Sequence, residues 1–134
     1  MYRCHVCFYM IGKQSQLLEI IKGMPALESF VHEFVESESP EKELAESANI
    51  ILADLSDADA KTEVQKLIEW KKPETAMILL TEQGQFSDLR DCLSEVTDIW
   101  TLPMTEEEMR FRFRQWQQSY KMQKDFWQTA QYLD

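Results

Sequence analysis

The chain has 134 residues, of which 44% are hydrophobic, and it carries a net charge of −10. This length and composition predict one globular domain with its own core. The negative charge argues against nucleic acid or an anionic membrane surface as a direct partner, because binding to either depends on positive charge that neutralises phosphates. The sequence has neither an apolar run of about 20 residues nor a signal-peptide pattern, which predicts a cytoplasmic chain.

The three cysteines cannot all pair within one chain, and a cytoplasmic location predicts that they stay reduced. Cys4 and Cys7 match the C-x-x-C spacing, but they fall in a predicted strand, where residues three apart point to opposite faces. A redox pair needs its first cysteine at a helix N-terminus, and a zinc site needs two further ligands. We therefore interpret the cysteines as packed side chains.

The first part of the chain contains two predicted strands and two predicted helices. A strand covers about residues 3–9, and a helix covers about residues 13–22. Residues 26–36 fit both helical spacing and strand alternation, and we interpret them as a strand because the topology requires one. The acidic residues 36–46 predict a loop and a short helix with a solvated face.

The apolar run from Ile50 to Ala53 ends on an acid, Asp54. Such a run is typical of a strand that is buried on both faces of a parallel sheet. Ligands bind at the carboxyl ends of strands in open α/β sheets, so Asp54 is a candidate functional residue. The alternative is that Asp54 only caps the next helix, which is predicted to begin near Asp57.

The elements that follow alternate regularly. A helix is predicted for residues 57–70, a strand for 75–81, a helix for 86–95 and a last short strand for 96–102. Strands and helices in this order predict an α/β fold, with a doubly wound, five-stranded parallel sheet, right-handed crossovers and helices on both faces.

The final segment is predicted to be one long helix. It begins at Thr105, where Glu108 completes a capping box, and no Gly or Pro interrupts it. A helix of about 29 residues would be roughly 43 Å long, which is more than a five-stranded sheet needs. We therefore assign residues 1–117 to the domain and residues 118–134 to an extension of the helix that links to an output domain.

Two apolar lines follow this helix. The first has heptad spacing and consists of Met109, Phe113, Trp116, Tyr120, Gln123, Trp127 and Ala130; the second consists of Met122, Phe126 and Leu133. Heptad spacing is typical of a coiled coil, and exposed apolar surface on the extension predicts a partner. We expect a homodimer that forms through this helix.

The element order and three positions resemble the receiver domain of bacterial response regulators, a CheY-like, flavodoxin-like fold, over about residues 3–117. The resemblance implies that Asp54 is at the phosphoacceptor position and that Thr81 is at the Thr/Ser position that contacts the phosphate. It also implies a Lys before Pro103, and an acidic pair at the end of the first strand that holds Mg²⁺.

The chain departs from this pattern at the charged positions. The acidic pair is expected within residues 8–11, at positions 9 and 10. This segment reads Phe-Tyr-Met-Ile and contains no carboxylate. At the position of the expected Lys, the chain has Leu102. Phosphoryl transfer depends on metal and cationic charge that offsets the developing negative charge. Mg²⁺ requires near-octahedral oxygen ligands, so Asp57 or Asp59 is a poor substitute ligand. We predict no cofactor and no Mg²⁺ binding, with Leu102 packed as an apolar plug near Asp54.

The resemblance leads to three functional hypotheses. The first is a degenerate receiver, which is a non-enzymatic regulatory and dimerisation module of two-component signalling. Its expected partners are a second copy of the chain, the output domain of a longer chain and an upstream histidine kinase. The output domain could be a kinase or a diguanylate cyclase. The second is a working Mg²⁺-dependent phosphoacceptor that autophosphorylates at Asp54. The third is a flavodoxin-like small-molecule binder, against which stands the shortage of glycine, since only Gly12, Gly23 and Gly84 occur.

Overall fold

The computed structural model describes residues 4–12, 16–27, 30–55, 59–85 and 87–133, with the backbone alone described at 17, 83 and 124–133. Five strands form one all-parallel sheet in the order β2-β1-β3-β4-β5. The strands are β1 (Cys4–Ile11), β2 (Phe30–Ser37), β3 (Ile50–Asp54), β4 (Ala76–Glu82) and β5 (Asp98–Leu102). This architecture confirms the predicted fold class. Of the ambiguous residues 26–36, residues 30–36 are a strand as predicted, residues 26–27 are not, and residues 28–29 lie outside the described residues.

In the described residues, three α-helices and two 3₁₀ helices connect the strands, and a fourth α-helix follows β5. They are α1 (Gln16–Lys22), α2 (Lys42–Ser47), α3 (Ala60–Trp70) and α4 (Glu106–Leu133), with 3₁₀ helices at Gln83–Gln85 and Ser87–Glu95. The helix predicted for residues 86–95 is a 3₁₀ helix over Ser87–Glu95, and Phe86 lies outside the described residues. The buried side chains of this segment, Leu89 and Cys92, are three residues apart, and that interval is one full turn of a 3₁₀ helix.

The sheet buries side chains on both faces, as a doubly wound fold requires. Alternate residues of β3 show this directly, because Ile50 and Leu52 lie in one cluster while Ile51 and Ala53 lie in the other. The cluster with Ile50 packs beneath α1 and α4, which contact each other. The cluster with Ile51 packs beneath α2, α3 and the second 3₁₀ helix. We call these two sides the α1/α4 face and the α2/α3 face.

Helix α4 begins at the predicted capping box. The backbone N–H of Glu108 donates to Thr105 Oγ1 at 3.1 Å, and the Thr105 hydroxyl lies 3.4 Å from Glu108 Oε1. The first contact satisfies a backbone N–H that a helix N-terminus otherwise leaves unpaired, and in the second the Thr105 hydroxyl donates to the Glu108 carboxylate. The helix has 28 residues, which corresponds to about 42 Å. Across the part of the chain that the structure describes, no helix is both long and apolar enough to cross a membrane.

Candidate functional site

Asp54 is the last residue of β3, at the carboxyl edge of the sheet, and it is partly buried. Its register partner on β4 is Leu80, which in turn pairs with Trp100 of β5. Asp54 does not cap the following helix, because α3 begins at Ala60 and its N-cap is Asp59. The alternative in which Asp54 serves only as a helix cap is therefore wrong.

The residue just after β1, next to Asp54, is a glycine in a conformation that other residues rarely adopt. Ile11 pairs with Ala53, so Gly12 comes level with Asp54. The φ angle of Gly12 is 144°. A Cβ atom at this position would lie 2.9 Å from Asp54 Cβ and 3.1 Å from the Asp54 carbonyl oxygen. The space beside Asp54 is therefore too small for any side chain at position 12.

This register corrects the expected place of the acidic pair. Tyr9 and Met10 pair with Ile51 and Leu52, and their exposed fractions are 0% and 1%. Acids at positions 9 and 10 would thus enter the two apolar cores two and three positions before the level of Asp54, where an unpaired charge is costly. Tyr9 is already engaged, since its hydroxyl hydrogen-bonds the Ser37 hydroxyl and accepts from the backbone N–H of Glu41.

The described residues also offer no replacement set of metal ligands. Among them, no group of three His, Cys, Asp or Glu side chains lies close enough to hold a metal ion. Asp59 is occupied by its cap, in which its carboxylate accepts from the Thr62 hydroxyl at 2.9 Å and the Thr62 backbone N–H at 3.5 Å. Asp57 lies outside the described residues. The donors present therefore do not fit the Mg²⁺ site that the resemblance implies.

Thr81 lies one residue beyond the level of Asp54 on β4 and pairs with Thr101. It is fully buried, and its hydroxyl has no hydrogen-bond partner among the residues that the structure describes. Leaving such a group unsatisfied costs about 1–3 kcal/mol. Successive strand residues point to opposite faces, so the Thr81 side chain follows the α2/α3 face whereas Leu80 lies on the α1/α4 face.

Leu102 ends β5 opposite Glu82 and is followed by a cis peptide bond to Pro103. The leucine is partly buried and packs on the α1/α4 face, two positions beyond Trp100. Its side chain supplies no positive charge to this edge of the sheet. Its role as an apolar plug next to Asp54 stays a prediction.

Two clefts open near this edge, and both are acidic. One has a volume of about 260 Å³ and is lined by Met10, Gly12, Leu18, Glu19, Glu36, Ser37 and Glu38. The other has a volume of about 530 Å³ and is lined by Asp59, Ala60, Lys61, Gln85, Ser87, Asp88 and Asp91. Carboxylates that outnumber cations repel a phosphate-bearing cofactor, so neither cleft favours the flavodoxin-like binding hypothesis.

Two lysines beside these clefts are paired within the described part of the chain. Lys22 Nζ lies 2.9 Å from the carboxylate of Glu36 and 3.4 Å from that of Glu19, and these contacts raise its pKa. Lys61 Nζ lies 3.9 Å from Asp91. An anion that entered either cleft would have to compete with these carboxylates.

The cysteines have the character of packed side chains. All three are free thiols, Cys92 is buried, and Cys4 and Cys7 are partly buried. Burial, with a smaller contribution from Glu33, raises the pKa of the Cys7 thiol. A reactive cysteine requires the opposite shift, because the thiolate is the nucleophile.

An aromatic cluster on the α1/α4 face was not anticipated as a functional feature. The His32 ring lies edge-on to Phe8 at 4.7 Å between ring centroids, and it also contacts Phe34 and Phe113. His32 Nδ1 is buried with no hydrogen-bond partner in the described part of the chain. Burial lowers the pKa of His32. In the sequence, the alternation of Phe30, His32 and Phe34 along β2 was the pattern that could have indicated this cluster.

We expect this histidine to make the stability of the fold depend on pH. The unfolded chain binds the proton at the ordinary histidine pKa of about 6.5, whereas the folded chain binds it only at lower pH. The free energy of unfolding should therefore fall as the pH drops below about 6.5, and this loss should level off below the folded-state pKa. His32→Phe should flatten the pH dependence measured by urea unfolding between about pH 5 and pH 7.

The matched control is the only other histidine, His5. Its side chain is 65% exposed and lies 3.9 Å from Glu33. His5→Gln should leave the slope between about pH 5 and pH 7 nearly unchanged. Equal slopes for the parent chain and His32→Phe would contradict the assignment to His32.

Comparison with known proteins places this geometry in a fold family. No protein-family model matches the chain, and no curated protein matches it. The REC domain of AraT, a response regulator from Geobacillus stearothermophilus, has a TM-score of 0.64 at 18% identity, with 89% of this chain and 98% of that chain covered. The signal receiver domain of a LuxO repressor protein from Vibrio parahaemolyticus has a TM-score of 0.63 at 13% identity, covering 90% and 95%.

A third structure, the pilus assembly protein CpaE from Caulobacter crescentus, has a TM-score of 0.54 at 10% identity, covering 82% of this chain and 92% of that chain. These identities are low, so the likenesses establish the fold. The chain has the receiver fold of response regulators, and the resemblance recognised in the sequence is confirmed at that level.

Proposed function

We propose that this chain is a degenerate receiver domain, a regulatory and dimerisation module of bacterial two-component signalling that acts in the cytoplasm and is not an enzyme. In this proposal the acceptor residue would be Asp54, which ends β3 at the carboxyl edge of the sheet. The observation that carries the proposal is the contact between Gly12 and Asp54, which leaves no space for a carboxylate side chain beside Asp54.

The chemistry of phosphoryl transfer explains why this contact matters. A carboxylate that accepts a phosphoryl group needs positive charge to offset the charge that develops in the transition state. In the described residues, Gly12 lies level with Asp54 just after β1, and Leu102 ends β5 before Pro103. Neither of these two positions therefore supplies the carboxylate or the cation that the resemblance implies there.

The proposal implies that the signal passes through protein contacts. Its partners are a second copy of the chain, an output domain in a longer protein and, upstream, a histidine kinase. Helix α4 would connect the domain to that output. The length of the helix and the packing of its first half on the α1/α4 face support this role. A conformational change in the sheet would shift the packed half of the helix and, with it, the half that extends beyond the domain.

The test measures Mg²⁺ binding and phosphorylation together. We expect titration calorimetry with millimolar MgCl₂ to give no saturable binding, and intact-mass measurement after incubation with acetyl phosphate and Mg²⁺ to show mostly unmodified chain. Asp54→Asn should behave identically to the parent chain. A receiver domain that retains its acidic pair serves as the positive control.

The second candidate, a working phosphoacceptor, is favoured by the partly exposed Asp54 and by the unpartnered hydroxyl of Thr81 in the described region. Stoichiometric, Mg²⁺-dependent phosphorylation that Asp54→Asn abolishes would establish this candidate and overturn the degenerate reading. Phosphorylation that persists in Asp54→Asn would identify a different acceptor residue.

A further inference from the structure

The first half of the heptad seam predicted in α4 belongs to the core of the domain. Met109 and Phe113 are fully buried, and Trp116 and Tyr120 pack against the same cluster. Trp116 stacks on Phe113 at 5.9 Å and on Tyr120 at 5.0 Å between ring centroids. Gln117 Nε2 also donates to the Pro25 carbonyl oxygen at 3.2 Å. These side chains are therefore not available to a partner over this part of the helix.

A different stripe of α4 is open to solvent. The exposed fractions of Phe111 and Met122 are 63% and 72%, and they are the large hydrophobic residues that the described part of the chain leaves exposed. Eleven residues make about three helical turns, so these side chains are roughly 20° apart around the axis. Gln115 and Gln118, both exposed, complete the 4-3-4 spacing. At about 100° per residue, this stripe lies opposite the seam that packs on the sheet.

The charges beside this stripe suit a second copy in parallel orientation. With Phe111 and Gln118 at d positions, Glu107 is a g residue and Arg112 is the e residue that follows it, so the two face each other across a parallel pair. Both are exposed, and neither has an ion pair within the described chain, where the bridge on this helix joins Glu106 to Arg110. An antiparallel pair centred on the stripe would instead place g residues opposite g residues, which would bring Arg114 near the positively charged Lys121.

We propose that two copies of this chain pair in parallel through the stripe Phe111, Gln115, Gln118 and Met122, with the two domains on the outer sides of the helix pair. This inference rests on the proposed dimerisation function and assigns it a surface. The two glutamines at central positions weaken the pair and fix its register, as polar residues in such seams do. The seam that begins at Met109 stays with its own sheet.

Cysteine cross-linking on the full-length chain tests the stripe. In a parallel pair each d residue lies opposite its own copy, so Gln118→Cys should form an intermolecular disulfide under mild oxidation. Gln123→Cys is the matched control, because Gln123 is exposed on the same helix but belongs to the first seam. The parent chain, with its three native cysteines, sets the background.

Charge exchange provides the second test. Glu107→Arg should raise the dimer dissociation constant, measured by sedimentation equilibrium, by about tenfold, because two attractive contacts become repulsive. The double variant Glu107→Arg with Arg112→Glu should restore the parent value. A merely local effect on helix stability would not be rescued in this way.

The outcomes separate this inference from the proposed function. Cross-linking at position 118 and not at 123, with charge rescue, supports the stripe. Cross-linking at 123 alone, equal cross-linking at both positions, or a dimer that forms neither cross-link overturns the stripe and leaves a dimeric receiver. A monomer at every concentration, with no cross-link, overturns both the stripe and the dimerisation part of the proposed function.

Discussion

Phe113→Ala is expected to lower the free energy of unfolding by about 3–5 kcal/mol, the usual range for removal of a buried phenyl ring. Phe113 is fully buried where α4 meets the sheet, and its ring lies 5.7 Å from that of Phe8 and 5.9 Å from that of Trp116. The loss combines the transfer of the ring with the cavity that remains. Urea unfolding, followed by circular dichroism, measures this loss.

The same helix carries a matched control two residues earlier. Phe111 is 63% exposed, so Phe111→Ala should change the free energy of unfolding by no more than about 0.5 kcal/mol. Both variants should be compared at protein concentrations low enough for the chain to be monomeric, because Phe111 belongs to the proposed pairing stripe. Equal losses for the two variants would contradict the assignment of Phe113 to the core and Phe111 to the surface.

Gly12→Ala is expected to destabilise the fold by about 1–3 kcal/mol from the strained backbone alone, and by more where the new methyl group overlaps Asp54. The backbone angle φ of 144° and the distance of 2.9 Å to Asp54 Cβ are the two sources of this cost. Thermal and urea unfolding of the variant measure it. An acid at position 12 would meet the same obstacle, so Gly12→Asp is expected to be destabilised as well.

Gly84 is the matched control for this substitution. A Cβ atom there would have no neighbour within 4 Å, and Gly84 is not in the positive-φ region. Gly84→Ala should therefore be neutral or stabilising by up to about 1 kcal/mol, because it reduces the freedom of the unfolded chain. Similar losses at positions 12 and 84 would show that the contact with Asp54 is not the cause.

The contact between Gly12 and Asp54 also bears on how the site could be rebuilt. Restoring Mg²⁺ binding requires carboxylates near Asp54, yet Gly12, which lies level with Asp54 just after β1, has no space for a side chain. Exchanging Leu102 for Lys would supply a cation at the end of β5 but would not create that space. Recovery of the site would require a shift of β1 or of the segment that follows it.

Structural features that depend on patterns of a few neighbouring residues could be predicted from the sequence. The apolar run from Ile50 to Ala53 predicted the central strand because burial on both faces of a parallel sheet demands such a run. The capping box of Thr105 and Glu108 predicted the start of α4 because its partners are three residues apart. The order of these elements sufficed to predict the parallel sheet, since crossover connections allow few alternatives.

The type of a helix, and whether a segment is a helix or a strand, were harder to predict from the sequence, because one local pattern can fit two structures. Residues 26–36 satisfied both helical and strand spacing, and pairing of β2 with β1 resolved this ambiguity in favour of a strand. Residues 86–95 carried a helical pattern, but whether it forms an α-helix or a 3₁₀ helix depends on how Leu89 and Cys92 reach the core. Both outcomes depend on contacts with distant parts of the chain.

Register and burial around Asp54 and α4 were decided by the tertiary structure alone. The pairing of Ile11 with Ala53 brings Gly12 against Asp54, and no local pattern specifies which residues of two separate strands align. Likewise, α4 carries two apolar lines, and the sequence favoured the one with heptad spacing as the contact surface. Met109 and Phe113 of that line pack against the sheet, and Phe111 and Met122 are exposed to solvent. The reason is that a helix buries whichever stripe the neighbouring core can accommodate.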